Sequence, residues 1–192
     1  MLRTDRFEQV PVTSLAELRQ WLAANHHRRE GVWLVTWKKS VPDRFVDRLD
    51  VLDELICFGW IDGIRRKLDT HRTMQLITPR RQQAWAESYK VRAARLEAEG
   101  RMAAPGRAAI ARAKAEGLWD ACADVDALRV PEDVRIALET APPAATHFAA
   151  SAPSYRRNVL RWIAAAKRPE TRARRIATLA SHAAEATRIP HM

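Results

Sequence analysis

Two segments of this sequence carry residue types suited to binding chemistry: Phe58-Gly59-Trp60-Ile61-Asp62-Gly63 and Thr78-Pro79-Arg80-Arg81. The first sets a lone carboxylate beside an indole, and Gly59 and Gly63 give the backbone room to turn at both ends. In an extended segment Trp60 and Asp62 share one face and Ile61 takes the other. Among Arg65, Arg66, Arg72 and Arg80 such a carboxylate suits orienting a guanidinium better than donating a proton. The second segment reads as a strand-to-helix joint. A helix N-terminus is partially positive, so two arginines there call for a negative partner. Backbone N–H groups and guanidinium forks together suit a carboxylate or phosphate. Asp62, Asp69 and Glu54 are internal alternatives to a ligand. Arg80 is therefore expected to be buried or half-buried against a carboxylate or a bound anion.

Trp60 and Trp85 each lie a few residues from one of these polar groups, and both are expected to line one cleft, with core packing as the alternative. The candidate ligand-binding residues are thus Trp60, Asp62, Arg72, Arg80 and Trp85. His71, in the turn Asp69-Thr70-His71-Arg72, is the histidine nearest the basic motif, either as an acid or base or as a solvated turn residue. The sequence has no nucleophile elbow, phosphate loop or dinucleotide fingerprint. Cys57 and Cys122 make no ligand spacing, and the adjacent His26 and His27 have no second cluster, so neither metal nor cofactor is expected. The pattern favours sequestration of a small anionic or aromatic molecule. An enzyme using Asp62 or His71 as acid or base is the alternative.

To position these groups the chain has 192 residues, 47% apolar, with seven tryptophans, enough for a sizeable core. No apolar run reaches the roughly 20 residues of a membrane helix. The N-terminal stretch has no apolar signal core, so a cytoplasmic location is expected. The net charge of +10 is uneven: residues 64–118 and 151–192 are strongly basic, residues 119–150 acidic. Basic faces attract nucleic acid, but charge alone specifies no groove-reading element, so a solvated surface is the favoured reading.

Ser14 and Glu17 form a capping-box pattern before Leu15, Leu18, Trp21 and Leu22. Val32–Trp37 reads as a central strand, apolar on both faces. A helix is expected over about Leu49–Phe58 and ends at Gly59; a hairpin follows over Ile61–Leu68 and Arg72–Thr78. Helices are then expected over about Arg81–Glu99 and Gly106–Glu116. Prolines mark further helix starts near Pro131, Ala144, Ser154 and Pro169. The fold class is α+β: a small mixed sheet with helices over residues 1–118, an acidic linker over 119–130 and a helical C-terminal module over 131–192.

Three blocks of the sequence resemble the YdeI/OmpD-associated (bacteriocin-protection) family. They are Leu55–Gly63; Thr78-Pro79-Arg80-Arg81 with Trp85, Gly100-Arg101-Met102 and Gly106; and Ser154-Tyr155-Arg156, Trp162-Ile163, Ala166-Lys167 and Pro169–Ile176. They span roughly residues 30 to 185. The sequence departs from the family where Leu76 and Ile77 replace an arginine-aromatic pair, where Ala84 and Ala86 replace serines, and where Tyr89 replaces an asparagine. The resemblance implies a role in tolerance to antimicrobial peptides or bacteriocins and, in some members, association with an outer-membrane porin. Porin contact requires export, so the protection role is the one carried forward.

Overall fold

The computed structural model describes residues 6–190. Strand β1 (Gln9–Pro11) runs parallel to β2 (Val32–Trp37), which pairs antiparallel with β4 (Arg72–Pro79); β4 pairs antiparallel with the edge strand β3 (Trp60–Lys67). The order β1-β2-β4-β3 makes β2 a central strand, as its two apolar faces require. The fold is α+β, with a mixed four-stranded sheet in the N-terminal part. Strand β1 has no counterpart in the sequence reading, because three residues are too few to show a period of two.

The chain divides into two compact units, one ending at Asp120 and one beginning at Ala121. In the first, helix α1 (Leu15–Asn25) begins at Ser14, whose hydroxyl accepts the Glu17 N–H. Glu17 reaches back to the N–H and hydroxyl of Thr13, one residue earlier than in a regular capping box. Helix α2 (Arg48–Cys57) is capped by Asp47 and places Val51, Leu55, Ile56 and Cys57 in the core. Its Asp53 and Glu54 are also buried. Asp53 accepts from Arg92 at 2.7 Å and from Arg95; Glu54 accepts from Arg19 at 2.8 Å and Arg101 at 2.9 Å. These carboxylates clamp α2 to α1 and to α3 (Glu87–Ala98), since removing either would strand buried charge. Helix α4 (Ala104–Ala115) packs on the C-terminal end of α2.

The helix expected from Arg81 begins six residues later, at Glu87. Residues 80–86 are irregular because their backbone groups are already used. The Arg80 N–H donates to Gly59 O at 2.9 Å, prolonging the β3–β4 ladder past Pro79. The Arg80 carbonyl accepts from Arg112, and the Gln83 and Ala84 carbonyls accept from the Arg80 guanidinium. The helix-dipole argument for a negative partner at Arg80 and Arg81 therefore does not apply: neither residue stands at a helix start.

In the second unit, residues of the acidic stretch form a short helix, α5 (Ala123–Asp126). Helices α6 (Glu132–Glu139), α7 (Ala144–Ala150), α8 (Pro153–Ala164) and α9 (Pro169–Ala184) follow at the proline-marked starts. Helix α9 packs on α6, α7 and α8 around Val134, Phe148, Val159, Ile163, Ile176 and Leu179. Several arginines of this basic region are bound within the unit. Arg161 donates to Asp126, Arg172 donates bidentately to Asp133, and Arg175 lies over the Trp162 ring. No helix of the described residues is long and apolar enough to cross a membrane.

Cys57 is fully buried, and burial first, then the neighbouring Glu54 carboxylate, pushes its thiol above the ordinary value. Cys122 is partly exposed. Thiolates, not thiols, react. A thiol reagent added to the native chain at pH 8 is expected to label Cys122 and to spare Cys57 until denaturant is added. Mass mapping of two equally labelled cysteines in the native chain would contradict this.

Candidate functional site

Asp62 is the centre of a small polar constellation on the helix-covered face of the sheet. It pairs with Ile77 in the β3–β4 ladder, and a bulge between Asp62 and Arg65 shifts the register next to it. Gln75, two residues along β4 from Ile77, donates from Nε2 to Asp62 Oδ2 at 3.2 Å. Tyr89, in the first turn of α3, donates its hydroxyl to Asp62 Oδ1 at 2.5 Å. Each carboxylate oxygen thus accepts one neutral donor and keeps capacity for another.

Behind Tyr89 stands Arg80, 3% exposed. Its guanidinium carbon lies 4.2 Å from the Trp85 ring centre and 4.9 Å from that of Tyr89, so the cation lies over two aromatic rings. Its Nη1 donates to the Ala84 carbonyl at 3.1 Å. Arg80 is buried as expected, and it packs on these aromatic rings and donates to a carbonyl in a stretch that is not a helix start. Trp85 in turn packs on Trp119 in a tilted contact, ring centres 5.1 Å apart.

A cavity of about 190 Å³ opens at Asp62, lined by Arg48, Val51, Leu52, Leu55, Gln75 and Tyr89. Its floor is the apolar face of α2, and Arg48 stands exposed on its rim. Neither Trp60 nor Trp85 lines it. Both indoles are enclosed, at 0% and 1% exposure, with Trp60 edge-on to Trp21. Core packing, the alternative reading, is what these two side chains do. Arg72 is also elsewhere. It stands five positions along β4 from the residue opposite Asp62, roughly 17 Å away, and binds Asp69 at 2.7 Å. That bond is the main cause that holds the Asp69 carboxyl below its ordinary value. His71 lies exposed in the same turn, so it and Asp62 occupy opposite ends of the hairpin.

Of the five sequence-derived site residues, Asp62, Arg80 and Trp85 are thus joined through Tyr89, which the sequence reading did not include. Gln75 and Arg48 were missed too. Gln75 lies buried on the face of β4 that also holds Thr73 and Ile77, and no pattern along the strand marks it.

A family model for a domain of unknown function (DUF8412) matches residues 10–109, more than half of the chain and all of this constellation. The chain belongs to this family. Residues 127–186 match a second model, described as Bacteriocin-protection, YdeI or OmpD-Associated. The resemblance drawn from residues 30–185 is therefore matched over the C-terminal unit, while the Trp60–Gly63 and Thr78–Arg81 motifs lie in the stretch matched by the domain of unknown function. No curated protein and no solved structure matches the chain.

Proposed function

We propose that this chain is a cytoplasmic protection protein that binds a small molecule in the cavity at Asp62. The observation that carries the reading is a carboxylate fixed by Tyr89 and Gln75 at the mouth of a cavity with an apolar floor. A few fixed polar groups above apolar side chains are the usual make-up of a small-molecule site. The protection role rests on the match of residues 127–186 to the bacteriocin-protection family. Arg72 and Arg80 do not reach the cavity, so the ligand chemistry follows Asp62 and Arg48. The ligand presents an N–H or O–H donor to Asp62, an acceptor to Arg48, and an apolar part to Val51, Leu52 and Leu55.

The test is a thermal-shift screen of small donor-bearing compounds on the full chain. Compounds that raise the melting temperature of the wild type are expected to lose that effect on Asp62→Asn, and to bind Arg48→Gln about two- to fivefold more weakly, the worth of one exposed charged contact. Stabilisation unchanged by both substitutions would place the ligand elsewhere and end this reading.

A further inference from the structure

The N-terminal unit holds a second, larger hollow, which Trp119 borders. It measures about 410 Å³ and runs along the groove between α3 and α4. That volume lies within the range of ordinary ligand pockets. Lys90, Ala93, Ala94 and Glu97 line it from α3, and Arg107, Ile110, Ala111 and Lys114 from α4. Both sets follow the i, i+3, i+4, i+7 spacing of one helix face. The alanines open the groove, Ile110 gives it an apolar side, and Trp119 closes one end.

The two ends differ in how their charges are paired. At one end Arg107 binds both oxygens of Glu97, at 2.9 and 3.0 Å, so that end is neutral. The pair also sets the helices antiparallel along the groove, which puts Lys90 and Lys114 together at the other end. There both ammonium groups lie over the Trp119 ring, at 5.5 and 5.1 Å. Lys90 is bound to Asp120 at 3.1 Å and to Glu87 at 3.7 Å. Lys114, among the described residues, has no carboxylate within ion-pair distance; its partner is the indole face. The groove is therefore apolar along its length, with a satisfied ion pair at one end and, at the other, one ammonium that no carboxylate within ion-pair distance matches among the described residues. Seven helical residues separate the ends, a span of about 10 Å.

We propose that this groove binds a small amphipathic carboxylate, its charged head at Lys114 beside Trp119 and its apolar body along Ala93, Ala94 and Ile110 toward the Glu97–Arg107 pair. Charge decides the orientation, since the body would otherwise end on an ion pair that is already satisfied. This site is separate from the cavity at Asp62 and stands or falls independently of it.

The probe is octanoate, titrated into the full-length chain by calorimetry and by the indole N–H signals in a nitrogen-15 spectrum, with octylammonium as the charge-reversed control. The Trp119 signal is assigned from Trp119→Phe. Octanoate is expected to bind with a dissociation constant on the order of 1 mM, in keeping with ten heavy atoms at about 0.4 kcal/mol each. It should shift the Trp119 signal, while octylammonium should bind at least tenfold more weakly. Lys114→Glu changes an exposed side chain, so the fold should survive, and it should weaken octanoate by about tenfold. Equal binding of octanoate and octylammonium, unchanged affinity in Lys114→Glu, an unmoved Trp119 signal, or no octanoate binding at all would each overturn the proposal.

Discussion

Gly106→Ala is expected to destabilise the N-terminal unit by about 3 kcal/mol, at the upper end of overpacking effects. In an open helix the same change stabilises by up to about 1 kcal/mol, so the environment has to reverse the sign. It does so because a Cβ at Gly106 would lie 2.2 Å from the Cys57 carbonyl oxygen and 2.7 Å from its carbon. Both are backbone atoms at the end of α2, and that oxygen already accepts the Ala103 N–H at 3.1 Å. Neither helix can yield without losing the α2–α4 contact. Gly117→Ala is the comparison: that glycine has φ +71° but open space around it, so only backbone strain of about 1 kcal/mol is expected. Urea unfolding followed by tryptophan fluorescence measures both. If Gly106→Ala proves as stable as the wild type, the close approach of α4 to α2 is wrong.

Arg80→Lys should cost about 2–4 kcal/mol although it keeps the charge. The guanidinium is planar and delocalised, and it lies over the rings of both Trp85 and Tyr89. An ammonium has no plane to lay on either ring, is more strongly hydrated, and in a site 3% exposed finds no water to replace what it loses. The Ala84 carbonyl also loses its donor at this position. The damage should extend to Asp62, because Tyr89 is positioned by Arg80 on one side and bonded to Asp62 on the other. The expected result is a lowered urea midpoint together with weaker binding of any compound that Asp62→Asn also fails to bind. A variant within about 0.5 kcal/mol of the wild type would show that charge alone, not the planar stack, holds this region.

Local signals were legible wherever the reason for an element is local. Ser14 and Glu17 announced α1, Gly59 at φ +71° ended α2, and prolines placed the starts of α8 and α9. The start of α3 was not legible. Nothing in Thr78-Pro79-Arg80-Arg81 forbids a helix; what prevents it is Gly59 O, twenty-one residues earlier, taking the Arg80 N–H, and Arg112 taking the Arg80 carbonyl. Strand β1 was hidden for a similar reason, since its three residues gain their meaning from pairing with β2.

The candidate site divides along the same line. The sequence by itself determined that Asp62 and Arg80 are unusual: one is a lone acid in a basic, aromatic setting, the other a cation after a proline-set turn. It also determined the α+β class, because hydrophobic periods of two and of 3.6 are properties of the chain. Only the tertiary structure decided which groups meet. It sent Trp60 and Trp85 to the core, left Arg72 with Asp69, and bridged Asp62 to Arg80 through Tyr89. Those choices depend on strand register and helix packing. They bring together residues far apart in the chain, and no pattern of neighbours along the sequence encodes a distance across a sheet.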